Sequence, residues 1–194
     1  MRWFKFAPAA IAFASIASLS ALAQAPEYAN VGRAPTAEEV RAWNIAISPD
    51  GKELPPGSGT AKEGAKIFAA KCAACHGPTA EGTQQGPRLV GGEGTISTLQ
   101  PVRTIGSYWP FATTVWDYIN RAMPRNNEGT LHPDEVYSLT AFILFRNRII
   151  QETDVMDAKS LAKVRMPNRD GFIPQRIGEI PDLQKRGCAA GHCP

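Results

Sequence analysis

Two cysteines and a histidine form the most chemically specific pattern in the chain. Cys72 and Cys75 are separated by two residues, and His76 follows directly. This CxxCH pattern is the attachment signature of c-type haem, in which the two thiols form thioether bonds to the porphyrin. The adjacent histidine is placed to bind the iron from the proximal side. The pattern predicts one haem c per chain, covalently bound through Cys72 and Cys75, with His76 as an iron ligand.

A CxxC pair alone has other uses. It also marks zinc sites and redox-active dithiols. The sequence holds no second CxxC pair that would complete a zinc site. Because the chain also begins with an export signal, haem attachment is the preferred interpretation and the dithiol or zinc site is the alternative.

The start of the chain predicts export. Arg2 and Lys5 make it basic, residues 6–22 are apolar and uncharged, and Ala21-Leu22-Ala23 fits a cleavage site. An uncleaved membrane anchor is the competing interpretation, but the apolar run is short. We expect a signal peptide at residues 1–23, release into an oxidising compartment such as a bacterial periplasm, and no membrane attachment after cleavage.

Length and charge restrict what the exported chain can be. Cleavage would leave 171 residues, which is enough for one sizeable core with extensions. Those residues include 19 basic and 18 acidic side chains, a formal charge of about +1. Without a basic field, nucleic acid is not an expected partner.

Residues 24–59 are expected to form an N-terminal extension and a linker. Thr36 and Glu39 have the spacing of a capping box, which predicts a short helix over residues 36–43. The run LPPGSG at residues 54–59 holds prolines and glycines that cannot continue a helix or a central strand. The end of this run is therefore the predicted domain boundary.

Residues 60–150 are predicted to form the core domain from helices and long loops. Thr60 and Glu63 form a second capping box before the haem motif. Pro133 begins a C-terminal helix. The apolar side of that helix is predicted from helical spacing to hold Val136, Leu139, Thr140 and Ile143.

These elements resemble those of class I cytochromes c. Gly64 and Phe68 precede Cys72 by eight and four residues, which is the family's spacing for the residues that meet the C-terminal helix. The resemblance implies that Leu139 and Phe142 pack against Gly64 and Phe68. It also implies an all-α fold.

The loop after the haem motif contains Gly86-Pro87-Arg88-Leu89, which matches another element of the family. By this resemblance, the carbonyl of Pro87 accepts a hydrogen bond from the ring N–H of His76. Such a bond would fix the imidazole tautomer and strengthen it as a ligand. A turn proline without this contact is the alternative.

The sixth iron ligand has four candidates beyond this loop, namely Met123, Met156, Met166 and His132. Met123 follows the helical run at residues 114–122 and precedes Pro124, so it lies at a helix exit. The order CxxCH, Met-Pro and final helix is that of class I cytochromes c. Met123 is therefore the predicted distal ligand, and a flexible core methionine is the alternative.

Four longer runs make the resemblance more specific. They resemble the cytochrome subunit of the Sox sulfane dehydrogenase, the SoxD family, in its one-haem form. The runs are LPPGSG at residues 54–59, VRTIGSYWP at residues 102–110, TVWDYINRAMP at residues 114–124 and MPNRDGF at residues 166–172.

The SoxD resemblance implies an electron-transfer subunit bound to a molybdenum-cofactor catalytic subunit, in a heterodimer or heterotetramer. That partner would oxidise the sulfane sulfur of a persulfide on a carrier protein during thiosulfate oxidation. A downstream c-type cytochrome would accept the electrons. Arg103, Tyr108 and Trp109 are further candidates for haem-pocket or propionate contacts, with ordinary packing as the alternative.

Residues 151–194 are predicted to form an extended C-terminal arm, because they are polar, rich in proline and without clear periodicity. Such an arm could wrap a partner or could be a disordered tail. Cys188 and Cys193 lie close enough in the chain for a local disulfide, and a metal site that uses His192 is the alternative.

The sequence as a whole predicts a class I cytochrome c core with extended N- and C-terminal arms, transferring one electron at a time. With His76 and Met123 on the iron, the haem would have no open position and a relatively high potential. Three alternatives remain: the cytochrome subunit of another dehydrogenase such as sulfite dehydrogenase, a free electron shuttle, or a haem enzyme with a displaceable sixth ligand.

Overall fold

The computed structural model describes residues 32–172 of the chain. Residues 32–43 and 44–172 fall into separate compact units. No helix in the described range is long and apolar enough to cross a membrane. The elements are α1 Ala37–Trp43, β1 Ser58–Thr60, α2 Ala61–Lys71, α3 Ala73–His76, α4 Ala112–Ala122, α5 Pro133–Arg146, β2 Val155–Asp157 and α6 Ala158–Leu161.

Helix α1 forms where the first capping box predicts it. The Glu39 carboxylate accepts the backbone N–H of Thr36 at 2.8 Å, and the Thr36 hydroxyl accepts the N–H of Glu39 at 3.2 Å. Arg33 pairs with the same carboxylate and, through this hydrogen bond, lowers the pKa of Glu39 to about 2. The predicted helix is confirmed.

Helix α2 leads directly into the haem motif. The Thr60 side chain accepts the backbone N–H of Glu63 at 3.3 Å, and the Glu63 carboxylate accepts the N–H of Thr60 at 2.9 Å. The predicted capping box is therefore confirmed. The helix ends at Cys72, and α3 adds one further turn that stops at Gly77, whose φ is +79°. Glycine adopts this backbone conformation without steric cost.

Helices α2 and α5 cross at very close range. A Cβ atom on Gly64 would lie 1.9 Å from the carbonyl oxygen of Ser138, so only glycine fits there. The rings of Phe68 and Phe142 pack with their centroids 4.9 Å apart. The predicted contact of Phe142 with this crossing is confirmed.

The predicted packing of Leu139 on Phe68 stays a prediction, and its predicted contact with Gly64 is corrected. Ser138, and not Leu139, gives the closest contact to Gly64. Leu139 is one residue further along α5, which turns its side chain by about 100° around the helix. Together with Ile143 it lines the cavity described below.

The predicted linker at residues 54–59 packs on the core instead of separating domains. Leu54 is buried, and the hydroxyl of Tyr137 donates to the carbonyl of Pro55 at 2.8 Å. A Cβ atom on Gly59 would lie 2.2 Å from the Ser138 hydroxyl oxygen, so strand β1 runs directly against α5. Proline and glycine end helices here, but glycine also lets the backbone approach a helix closely, because it has no side chain. The compact unit accordingly begins at residue 44 and not at residue 60.

The segment after α5 also belongs to the core as far as residue 172. Strand β2 pairs antiparallel with β1, with Gly59 opposite Met156. Met156, Leu161 and Met166 are all buried. Their spacing follows neither a helix nor a strand, so the sequence pattern predicts an arm where the structure has packed residues. Cys188, His192 and Cys193 lie outside the described residues.

The all-α prediction holds for the core, because α2, α4 and α5 supply most of its buried side chains. The two strands are three residues each and form the whole sheet within residues 32–172. They attach the segments on either side of the helical core to each other and to α5.

Candidate functional site

A cavity of about 710 Å³ lies between α2, α4, α5 and the loops that connect them. Its volume is in the range of sites that hold cofactors. Both cysteines of the motif line it, as do residues from three other parts of the chain. Of the residues predicted from sequence, the cavity brings together Cys72, Cys75, His76, Pro87, Arg103, Trp109 and Met123.

The two cysteines lie on one turn of backbone. The N–H groups of Cys75 and His76 donate to the carbonyl of Cys72 at 3.1 and 3.0 Å. Burial raises the pKa of the Cys72 thiol to about 11. Burial therefore disfavours the thiolate form, in which redox-active cysteines react. Within residues 32–172, no three Cys, His, Asp or Glu side chains are grouped to hold a metal ion.

The imidazole of His76 is held by the loop that follows it. Its Nδ1 atom lies 2.8 Å from the carbonyl oxygen of Pro87. A carbonyl can only accept, so Nδ1 carries the proton and donates. The other ring nitrogen, Nε2, then has a free lone pair and can bind a metal.

The approach of that loop depends on Gly86. A Cβ atom there would lie 2.8 Å from the carbonyl oxygen of Cys75 and 3.1 Å from Nδ1 of His76. The hydroxyl of Thr83 donates to the same Cys75 carbonyl at 2.5 Å. The loop therefore closes over the haem motif through contacts with the Cys75 carbonyl and the His76 ring.

Met123 lies where α4 ends. Its backbone is extended, with φ −128° and ψ 148°, while its N–H still donates to the carbonyl of Ile119 at 3.0 Å. The chain leaves the helix at this residue, and its side chain lines the cavity. Among the four candidates for the sixth ligand, Met123 is the one that shares the cavity with His76.

The other three candidates lie elsewhere in the described structure. Met156 and Met166 are 4% and 1% exposed and belong to the hydrophobic core beside β2 and α6. His132 is exposed at the N-terminus of α5, where its N–H donates to the Glu135 carboxylate at 3.0 Å.

Two consecutive aromatic residues have different surroundings. Trp109 lines the cavity and packs edge-on against Tyr118, with 5.6 Å between ring centroids. Tyr108 is outside the cavity lining within the described residues. Its ring packs against Phe172, and the Arg103 guanidinium lies 5.6 Å from its centroid. Tyr108 therefore lies outside the cavity lining, but it contacts Arg103, which lines the cavity.

Sequence reasoning missed Tyr118, although a signal for it is present. Tyr118 lies on α4 three residues after Val115 and four before Ala122, and all three line the cavity. Helical spacing of four residues back from Ala122, the last residue of α4, would have placed it on the same face. Its side chain is about half exposed, so it lies where the cavity meets solvent.

The charged side chains of the cavity are all basic within the described residues. They are Lys71, Arg88, Arg103 and Arg125. Lys71 donates to Glu135 at 2.6 Å, and this hydrogen bond lowers the pKa of the Glu135 carboxyl. The remaining arginines give the cavity a positive potential, which suits a group that carries carboxylates.

These residues fit a haem c. The cavity offers two thiols, one imidazole with an available Nε2 and one thioether, which is the donor set of a Met/His haem. Buried apolar side chains form its walls, including Phe68, Val115 and Ile119. The arginines could face the propionates.

Comparisons with known proteins point to the same group. Residues 59–143 match the family described as cytochrome C oxidase, cbb3-type, subunit III. No curated protein gives a significant match. The chain matches the crystal structure of the sulfane dehydrogenase SoxCD from Paracoccus pantotrophus with a TM-score of 0.71 and 40% sequence identity, over 85% of this chain and 82% of that chain.

This similarity extends beyond the haem motif. It covers 85% of the chain, far more than the family match at residues 59–143. A sequence identity of 40% over this length indicates membership of the same family and not only a shared fold. The fold, the donor set of the cavity and the comparisons agree on a haem c protein that transfers electrons. The chain belongs to the c-type cytochromes and is a SoxD-like member of that family.

Proposed function

We propose that this chain is a periplasmic monohaem cytochrome c and the electron-transfer subunit of a sulfane dehydrogenase. One haem would be bound covalently by Cys72 and Cys75, with His76 and Met123 as axial ligands. The observation that carries this proposal is the position of Met123, which lines the same cavity as the complete CxxCH motif.

The haem would supply one-electron chemistry at its iron, and the residues of the chain would tune it. The hydrogen bond from His76 to Pro87 keeps Nδ1 protonated and increases the basicity of Nε2. The apolar walls exclude water from the cavity. A thioether ligand and an apolar site both favour the reduced state, so we expect a relatively high potential.

The proposed electron donor is a molybdenum-cofactor subunit, in a heterodimer or heterotetramer. The support is the 40% identity to the sulfane dehydrogenase SoxCD over most of both chains. The electrons would come from sulfane sulfur during thiosulfate oxidation and pass to a downstream c-type cytochrome. Removal of residues 1–23 as a signal peptide would place the protein in the periplasm, where haem c is attached.

The iron ligands can be tested by substitution of Met123. M123A should keep covalent haem but lose the Met/His spectrum, bind exogenous ligands such as imidazole or cyanide readily, and have a lower potential. M156A is the matched control, because Met156 is a buried core residue outside the cavity lining. It should reduce stability by about 2–5 kcal/mol and leave the spectrum unchanged. Normal ligation in M123A would contradict the assignment.

The partner can be tested with a reconstituted complex. The holoprotein would be co-expressed with the molybdenum-cofactor subunit of a sulfane dehydrogenase and mixed with a persulfidated carrier protein or with sulfite. Haem reduction by the persulfide alone supports the sulfane assignment, whereas reduction by sulfite alone indicates a sulfite dehydrogenase. A monomer that is not reduced in either mixture would indicate a free shuttle.

A haem enzyme with a displaceable ligand makes a different prediction. Wild-type protein would then bind cyanide or react with peroxide without any substitution. We expect wild-type protein to resist both, because both axial positions are filled in the proposed site.

A further inference from the structure

Asn147 holds the loop that orients His76. This residue caps the C-terminus of α5, and all the polar atoms of its side chain are hydrogen-bonded. The amide nitrogen donates to the carbonyls of Ile143 and Leu89 at 2.9 and 3.2 Å. The amide oxygen accepts the N–H of Gly91 at 3.1 Å. One side chain therefore ties α5 to two points of the same loop.

The same side chain also contacts a second segment, the turn that contains Gly106. A Cβ atom on Gly106 would lie 2.1 Å from Oδ1 of Asn147, so the turn that contains Gly106 rests directly on the amide. The hydroxyl of Thr104 in that turn donates to the carbonyl of Gly91 at 2.5 Å. The loop and the turn, which both contribute cavity residues, meet at Asn147.

The path from Asn147 to His76 is short. Pro87, whose carbonyl accepts the bond from His76, lies two residues before Leu89. The N–H of Leu89 donates to the carbonyl of Ala80 at 2.9 Å, so both backbone groups of Leu89 are fixed. Only one residue separates Pro87 from Leu89, and the proline ring restricts φ at Pro87. A displacement of Leu89 would therefore move the Pro87 carbonyl.

From these contacts we propose that Asn147 is a positioning residue for the axial histidine. It does not line the cavity, and it acts on the iron ligand through Leu89 and the Pro87 carbonyl. The proposal rests on the proposed function, in which His76 binds haem iron. Loss of the amide would let the loop move, lengthen the bond from Nδ1 and reduce the ligand strength of His76.

A purely structural role makes a different prediction. As a helix cap, Asn147 would contribute to stability without any effect on His76. Asn168 is a suitable comparison, because it is also partly buried and donates to a single carbonyl, that of Tyr108, at 2.6 Å. N168A should therefore reduce stability without any effect on the hydrogen bond from Nδ1 of His76.

The test is made on the holoprotein with covalent haem. The exchange rate of the His76 Nδ1 proton with solvent would be followed by NMR in the reduced state, and the potential would be measured by redox titration. N147A should exchange this proton about fivefold faster than wild type, the factor expected for loss of one ordinary hydrogen bond. Its potential should rise, because a weaker imidazole donor favours the reduced iron.

N147D separates hydrogen bonding from packing. Aspartate has nearly the same shape and can still accept from Gly91, but its carboxylate cannot donate to Leu89. Its proton exchange should match that of N147A, and it also provides the measurement if N147A fails to fold. Wild-type exchange in N147D and N147A, or equal acceleration in N168A, would overturn the proposal.

Failure of the proposed function would look different. A wild-type holoprotein without a Met/His spectrum would overturn both the assignment of the iron ligands and the positioning role of Asn147. A wild-type protein with that spectrum, combined with wild-type exchange of the His76 Nδ1 proton in both Asn147 variants, would overturn the positioning role of Asn147 alone.

Discussion

Gly64 in α2 faces the backbone of Ser138 in α5 with no room for a side chain between them. A Cβ atom on Gly64 would be 1.9 Å from the Ser138 carbonyl oxygen and 2.8 Å from Cβ of Phe142. The carbonyl belongs to a helix backbone and cannot rotate away. This contact fixes the distance between the helix that leads to the haem motif and the helix that supplies Leu139 and Ile143 to the cavity.

G64A should therefore destabilise the protein by about 3 kcal/mol or prevent haem incorporation, because α2 and α5 must separate. Guanidinium unfolding of the holoprotein measures this change. G94A is the control, since Gly94 has a positive φ of +73° but no atom within 4 Å of an added Cβ. It should cost only about 1–2 kcal/mol from backbone strain. Equal effects of the two variants would contradict the close-packing account.

The segment that contains Leu161 should contribute substantially to stability. Leu161 is fully buried in α6, so L161A should reduce the free energy of unfolding by about 3 kcal/mol. Leu99 is fully exposed, so L99A should change it by less than about 0.5 kcal/mol. If the two variants were equally stable, residues 151–172 would behave as the loosely attached arm expected from the sequence.

Tyr137 should make the fold sensitive to alkaline pH. Burial raises its pKa from 10.0 to about 12, and its hydroxyl donates to the carbonyl of Pro55 at 2.8 Å. Between pH 10 and 12 the unfolded chain loses this proton while the folded chain keeps it, so stability falls as pH rises. The loss should be about 1–1.5 kcal/mol at pH 11 and reach its full value only above pH 12.

Guanidinium unfolding at pH 8 and at pH 11 measures this effect. Y137F should be less stable at pH 8 by about 1 kcal/mol, because the hydrogen bond to Pro55 is lost. It should then show a smaller decline towards pH 11 than wild type. An unchanged decline in Y137F would assign the alkaline sensitivity to another group.

The basic residues of the cavity should control reactions with charged electron acceptors. Arg88, Arg103 and Arg125 are exposed at the cavity, and no carboxylate lines it within the described residues. Oxidation of the reduced protein by ferricyanide, an anion, should be fast at low salt and slow down as ionic strength rises. Oxidation by the cation tris(phenanthroline)cobalt(III) should show the opposite trend.

R125E should slow the ferricyanide reaction roughly three- to tenfold at low ionic strength and reduce its salt dependence. K163E makes a comparable change of charge at an exposed residue outside the cavity lining, so it serves as the control. Stopped-flow mixing measures both rates. Identical rates in the two variants would mean that electrons leave the protein at another surface.

Local patterns in the sequence were sufficient for much of the site. The capping boxes at Thr36 and Thr60 form as predicted, because each depends on side chains three residues apart. The CxxCH motif and the proline after Met123 are equally local. Chemistry at this range is set by spacing along the chain, so the sequence alone determines it.

The tertiary structure decided what depends on distant contacts. Met123, Met156 and Met166 are the same residue type, and their positions in the fold separate a cavity residue from two core residues. Strand β1 lies at the predicted boundary near residue 59, and β2 lies in the predicted arm. Their pairing joins both segments to the core, so the core domain extends beyond the predicted limits of residues 60 and 150. These outcomes depend on which helix faces stay uncovered once α2 and α5 have crossed. Packing between segments far apart in the sequence leaves little trace in local composition, so sequence patterns do not reveal it.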